Sequence, residues 1–375
     1  MSKKKKLLWG IASFLLAVLT IRMVFKFSKG VSVSRVIDAV IISDKRWLFL
    51  AVVASAMYVW LEGVALRIIL NAAGHKTSNI NGLLYSTSDI YFSAITPSAT
   101  GGQPASAFFM IRDGISVGVT TAALVLNLMM YTIAIVVLGI IAIIIKPSAF
   151  IEFSGISKAL IIIGFIVLSV LSLIFFLILK EGKRFFRKIE ELIFALNKKG
   201  IIKDVKKLIS RLKKAGDDYG KCLDLIEGNN KMVLKVFVCA FFQRASQIVV
   251  PMLLFISLGG KLKDAPLIIS KQCLMTIGYN FVPIPGAMGV SDYLMLDGFT
   301  RVMERVMAFR IEMLSRGITF YICVALSGII TLIGYIAGKD RNHIVADKQK
   351  DNEQNVADKQ KDNDQNVADK QNANN

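Results

Sequence analysis

Six long apolar runs limit what this chain can fold into more than any other feature. They are Leu7–Val24, Trp47–Leu70, Gly118–Ile145, Ala159–Leu179, Met232–Leu258 and Met313–Ala337. Each is long enough to cross a hydrocarbon core of roughly 30 Å, which takes about 20 helical residues. A soluble domain has no interior for so many such runs, and the mean hydropathy of +0.56 agrees. The first run is long, lacks a small-residue cleavage site and is followed by more spans, so it reads as an uncleaved span.

Formal net charge is +19, unevenly spread. Lys3–Lys6 precede the first run, and 181–231 is rich in Lys and Arg, as in K183-R-F-F-R-K188. Basic runs of this kind suit nucleic acid, an anionic lipid surface or the positive-inside signal of a membrane protein. Beside membrane spans the last reading takes precedence, with anionic headgroups as the surface that 181–231 meets. It places the N-terminus, 181–231 and the C-terminal tail in the cytoplasm. Counting spans then starts and ends 71–117 on the cytoplasmic side and leads into 259–312 from the outer side. The stretch V31-S-V-S-R-V-I-D-A-V-I-I-S43 reads as an amphipathic interfacial helix. Residues 181–228 read as two surface helices broken at Lys199-Gly200, either packed on the bundle or lying on the membrane.

Four cysteines without a CxxC pair and two distant histidines offer no disulfide frame, zinc site or Ser-His-Asp triad, and no cofactor is expected. Residues 1–338 form the membrane domain of this reading. Within residues 339–375, V-A-D-K-Q recurs from Val345 with a period of 11, followed by K-D-N in the first two copies, and too few apolar residues are present for a core, which predicts a disordered tail.

Two apolar segments are interrupted. In S93-A-I-T-P-S-A-T-G-G-Q-P-A105, Pro97 stops a helix that carries Asp89 and Ser93 on one face. Gly101 and Gly102 permit a turn, and Pro104 suits the first turn of a new helix. The N–H groups near Gly102–Ala105 would form an anion site. In N280-F-V-P-I-P-G-A-M-G-V-S-D292 a second helix is broken and resumes. Irregular backbone at membrane depth must be covered by protein or line a wet cavity. Paired broken helices reaching in from opposite faces point to a transporter binding site and to an internal inverted repeat. Glu62, Arg67, Arg244 and Arg316 lie within the apolar runs, where charge is costly and usually faces the protein interior or a cavity. Arginines beside a helix N-terminus favour a phosphate headgroup. Asp89, Glu62 and Asp292 are the carboxylates available to balance them or to carry a proton.

Three elements, TPSATGGQP (Thr96 to Pro104), PIPGAMGVSD (Pro283 to Asp292) and SRGITFY (Ser315 to Tyr321), resemble the lysylphosphatidylglycerol synthase transmembrane-region family. This is the flippase-like domain of the multiple peptide resistance factor. The resemblance covers roughly residues 5–338, and the chain departs from the family at Ala287, usually glycine, and at Asp292, usually Glu. It implies an all-α polytopic bundle with two broken, re-entrant segments in a bacterial plasma membrane. It also implies a substrate site drawing on Asp89, Thr96, Thr100, Gly101, Gly102, Gln103, Arg244, Pro285, Gly286, Gly289, Asp292 and Arg316. The implied substrate is phosphatidylglycerol, lysyl-phosphatidylglycerol or another lipid-linked molecule carried between leaflets. Full-length relatives also move lysine from lysyl-tRNA to phosphatidylglycerol in a soluble domain, giving resistance to cationic peptides. About 38 polar residues after Ala337 leave no folded domain for that step. Three readings therefore stand: a lipid translocase, a lysyltransferase alone or with a separate synthase subunit, and a non-catalytic membrane partner. Nucleic acid enters only as lysyl-tRNA.

Overall fold

The computed structural model describes residues 33–96, 99–181, 190–191, 193, 205–282 and 284–338. The first apolar run, the break at Lys199-Gly200 and the repeat tail lie outside the described residues. Among the described residues helix is the only regular structure. The chain divides into two units, Met1–Gly328 and Ile329–Asn375. The described part of the second unit is the end of the last helix, with exposed Ile329, Leu332, Ile333 and Ile336.

The helices run in the order α1 Val33–Ile42, α2 Lys45–Ala72, α3 Asn79–Ile95, α4 Gly102–Arg112, α5 Val117–Ile145, α6 Gly155–Lys180, α7 Val205–Glu227, α8 Asn230–Ser257, α9 Ala265–Asn280, α10 Val290–Phe299 and α11 Arg305–Gly338. Five of them, α2, α5, α6, α8 and α11, are long and apolar enough to cross a membrane. The sequence announces where several begin. Asp44, Ser78, Ser116, Ser154 and Asn229 each cap a helix by accepting a backbone N–H from its first turn. Helix α6 buries little and turns Ile162, Ile163, Ile166, Leu173 and Phe176 outward, which is the face a lipid-solvated helix presents.

The remaining elements are two helical hairpins, α3–α4 and α9–α10. Each follows one crossing helix and precedes another. Three crossing helices (α5, α6, α8) separate them in sequence, so the hairpins insert from opposite ends of the bundle. Side-chain contacts agree. Helix α7 packs at the start of α5, where a Cβ on Gly118 would stand 2.6 Å from the Tyr219 backbone N. That end also holds the base of the first hairpin, where Tyr85 donates to Asp113 (2.8 Å). The second hairpin is tied to the turn between α5 and α6. Lys271, fully buried, pairs with Glu152 (2.9 Å), and the Ser154 N–H donates to Asp297 (2.9 Å).

Each hairpin has its own apolar core. Leu66, Ile69, Tyr85, Met110, Leu126 and Tyr219 belong to one, and Ala51, Leu254, Ile268, Leu274, Leu294 and Ile311 to the other. Helices α2 and α8 contribute to both and pack along each other, forming the frame. The α7 part of the basic segment is packed on the bundle, with Ala215, Tyr219, Cys222 and Ile226 buried. Burial pushes the Cys222 thiol up to about 11, so it is a packing group and not a reactive one. Helix α1 buries Ala39 and leaves Ile37 and Ile41 exposed, the division expected of an interfacial helix.

The first hairpin is held to the frame by backbone contact. A Cβ on Gly63 would lie 2.7 Å from the carbonyl carbon of Gly82, and one on Gly82 would lie 2.6 Å from the Gly63 oxygen. Gly63→Val is expected to lower stability by about 1–3 kcal/mol through overpacking, read as a lower Tm in detergent. Valine at Gly155, which has open space around it, is the control expected to leave Tm nearly unchanged.

Candidate functional site

The first hairpin tip is stabilised by its own polar residues. Thr96 donates to the Phe92 carbonyl (2.6 Å) and accepts the Gly101 N–H (2.8 Å), closing the end of α3 onto the start of α4. Asp89 and Ser93, one turn apart, are joined by a hydrogen bond of 3.1 Å, and Gln103 donates to the other Asp89 oxygen (2.6 Å). Gly102 is required here. A Cβ on it would overlap Asp89 Oδ1 and Ser93 Oγ and stand 2.7 Å from the Asp89 backbone oxygen. The Asp89 carboxylate thus lies against the first turn of α4, where sequence reasoning expected an outside anion. An acidic group there also suits the helix dipole.

The second tip has a different construction. Gly286 (φ 59°), Ala287 (φ 48°) and Gly289 (φ 85°) all take left-handed backbone. That conformation favours glycine, which explains why a glycine is the expected residue at 287. Asp292 caps α10 by accepting the Gly289 N–H (2.9 Å). Arg316 ties this tip to α11. It donates from Nε to Asp292 (2.6 Å), from Nη1 to the Gly286 carbonyl (2.9 Å) and from Nη2 to Ser291, with Glu312 at 3.8 Å.

Directly after Arg316, α11 passes through a π-helical turn, Gly317–Ile322. Such turns occur frequently at functional sites. This one places Thr319 and Phe320 beside the second tip. Phe320 closes over Gly286, where a Cβ would meet its ring at 2.6 Å. Ser55 on α2 reaches across to the Ile318 carbonyl within the turn (3.3 Å).

A cavity of about 230 Å³ opens where the two tips approach each other. Ala99 of the first loop and Ile284, Gly286 and Ala287 of the second line it, with Gln247, Gln272 and Ser315 among its polar groups. Arg244 on α8 is its buried charge, 5% exposed. The guanidinium lies 3.5 Å from the centre of the Tyr131 ring and 4.9 Å from that of Tyr58. It donates to Gln247 (3.1 Å) and to the Tyr58 hydroxyl (3.4 Å), and its Nε has no partner. No carboxylate among the described residues closes an ion pair with it. Tyr131 in turn donates to Asn280 (2.8 Å), joining α5 to the end of α9.

Of the residues expected from sequence, Arg244, Gly286 and Arg316 line this cavity. Thr96, Gly101, Gly102, Gln103 and Asp89 form the connected first tip behind Ala99, where Thr100 continues the loop. Pro285, Gly289 and Asp292 belong to the second tip. Arg67 sits near a helix end and donates to Asn79 (2.6 Å) and the Thr77 carbonyl (3.3 Å). Sequence reasoning missed Tyr58, Tyr131, Gln247, Gln272 and Ser315. Tyr58, Tyr131 and Gln247 signalled themselves only as polarity inside apolar runs, Gln272 lies outside those runs and Ser315 adjoins Arg316 in the third motif, and a helical register relating them to Arg244 would have been needed to gather them.

The family described as lysylphosphatidylglycerol synthase TM region matches residues 8–327. A UPF0104 membrane protein of Pyrococcus horikoshii is similar, 22% identical over 336 residues that cover 85% of this chain and 96% of the relative. Both describe membrane proteins and agree with the multi-pass architecture.

The Arg316 cluster should behave as a structural latch. Arg316→Ala removes charge-assisted bonds to Asp292, Ser291 and Gly286 and is expected to cost about 2–3 kcal/mol. Arg301→Ala, which breaks a half-exposed pair with Asp297, is expected to cost under about 0.5 kcal/mol. Unfolding midpoints of the two variants in one detergent check the difference.

Proposed function

The chain belongs to the lysylphosphatidylglycerol synthase TM-region family, and on that footing we propose that it moves an anionic or aminoacylated phospholipid, or another lipid-linked phosphate, between leaflets. One observation carries this reading: a buried arginine with an unpartnered Nε faces a cavity where two re-entrant tips from opposite ends of the bundle meet. Burying a guanidinium with no carboxylate in direct contact is costly, even with negative charge nearby. A phosphodiester oxygen supplied by a substrate offsets that cost and fits the planar donor edge of arginine.

The cavity volume suits a headgroup and excludes acyl chains, which stay in lipid. Gln247, Gln272, Ser315 and Thr319 supply neutral hydrogen bonds for a glycerol or aminoacyl substituent. The first tip, with Thr96, Thr100, Gly101, Gly102 and Gln103, forms one wall of the passage. The second, with Pro285, Gly286, Gly289 and Asp292, forms the other, and Arg316 holds it in place. Because the tips come from opposite ends, loosening either would open the site to one side only, which is alternating access in its simplest form. The basic N-terminus and the 181–231 segment orient the protein with both on the cytoplasmic side of a cell membrane, against anionic lipid.

Purified protein in liposomes containing phosphatidylglycerol and lysyl-phosphatidylglycerol tests this by leaflet exchange. Wild type is expected to accelerate exchange of at least one lipid. Arg244→Ala should reduce the rate at least about tenfold, the effect of losing roughly 1.4 kcal/mol of binding. Arg244→Lys should also be impaired, because an ammonium cannot reproduce the contacts of the planar guanidinium with the Tyr58 and Tyr131 rings and with Gln247 together. Exchange unaffected by Arg244→Ala would overturn the reading. Absence of exchange together with lysine transfer from lysyl-tRNA would replace it with the lysyltransferase reading.

A further inference from the structure

We infer that Glu62 and Asp89 hold one proton between them, and that this pair couples proton uptake to anion occupancy of the cavity through Arg244. The coupling half rests on the function proposed above. The proton site itself stands on the burial and contacts of the two side chains.

Glu62 on α2 and Asp89 on α3 are 6% and 8% exposed. Glu62 meets Ser86 (3.4 Å), which lies three residues before Asp89 on the same helix, and this brings the two carboxyl groups within hydrogen-bonding reach of each other. A hydrogen bond between two carboxyls needs a proton on one of them. Two bare carboxylates at that range in a low-dielectric interior repel strongly. The surrounding donors do not remove the need for the proton. Asp89 accepts from Ser93 and Gln103. Glu62 has the Gln243 amide (3.3 Å) and the Ser86 hydroxyl (3.4 Å). The single Ser86 proton has a better acceptor in the Val59 carbonyl (2.7 Å), so Glu62 gains little from it.

The charged and titratable groups facing the pair are few. Arg244 on α8 acts on both carboxyls without closing an ion pair. Tyr58 on α2 and Cys323 on α11 face Glu62 and are neutral at ordinary pH. With one shared proton the pair carries a single negative charge, which balances the guanidinium. An anion entering the cavity would share Arg244 with the pair and leave the buried cluster one negative charge in excess. A second proton on the pair restores neutrality. Departure of the anion makes that proton costly to keep, and it leaves. By reciprocity the acid form of the pair binds the anion more tightly. The coupled species are thus one anionic headgroup and one proton, moving in the same direction. No oxidation, reduction or covalent step is involved.

Infrared spectroscopy of the purified protein at neutral pH tests the proton site. A carboxylic-acid C=O band that shifts in D₂O is expected in wild type. It should be lost or altered in Glu62→Gln and in Asp89→Asn, each of which keeps the shape of the pair. If neither variant changes that region of the spectrum, the shared proton is refuted, whether or not lipid is transported. A second experiment adds short-chain phosphatidylglycerol to weakly buffered protein and follows pH with a dye. Uptake of about one proton per bound lipid is expected, with none in Glu62→Gln. Binding without uptake overturns the coupling and leaves the translocase reading standing. If Arg244→Ala binds as wild type does, Arg244 is not the link, and the coupling is overturned by that route.

Discussion

A backbone N–H or C=O without a partner inside a membrane costs several kcal/mol, and both interrupted helices have to answer that cost. Many of the polar side chains in the two motifs do so directly. Thr96 accepts from Gly101, Asp292 accepts from Gly289, Arg316 donates to the Gly286 carbonyl, and Ser55 covers the Ile318 carbonyl in the π turn. Each stands in for the helical partner that the break removed. Arg244 holds Gln247 and the Tyr58 hydroxyl and lies over the rings of Tyr58 and Tyr131, yet its Nε keeps no partner, and that unused donor beside the cavity carries the functional reading.

The frame of α2 and α8 turns local breaks into a site. Each hairpin has a separate core, yet both cores include residues of these two helices. Glu62 and Tyr58 on α2 and Gln243, Arg244 and Gln247 on α8 occupy the zone between the cores. Polar groups gather at the one level of the bundle where neither hairpin supplies apolar packing. Arg244 is thereby set at the level where it meets the cavity, while the buried Lys271 is neutralised separately by Glu152.

Much of this was legible in the sequence. The crossing helices followed from run length and the two breaks from Pro97, Gly101-Gly102, Pro283 and Gly286. Asp89 and Ser93 were legible as neighbours on one helix face, and the structure joins them by a hydrogen bond. What sequence could not supply was pairing across distance. Arg244 and Arg316 looked alike as charges in apolar runs, yet one is latched to Asp292 and the other lies between two tyrosines. That difference depends on which side chains from α2, α5 and α10 reach them, and no spacing rule fixes it. The residue at 287 shows the reverse case. Its backbone conformation explains a glycine preference that was visible beforehand only as a departure.

The π turn in α11 has a consequence for how this helix tolerates change. It contains one more residue than an α-helical turn of the same height would hold. Winding that residue into a regular helix would rotate the two sides of the turn relative to each other by about 100°, since a full turn takes 3.6 residues. Phe320 would swing off Gly286 while Arg316 kept its grip on Asp292. The last helix therefore stores a quarter-turn of rotation beside the cavity, obtainable by repairing a defect and without melting any hydrogen-bonded segment. A one-residue deletion within 317–322 would instead leave a regular turn of the same height with its two sides in their present register, and the stored rotation would be gone.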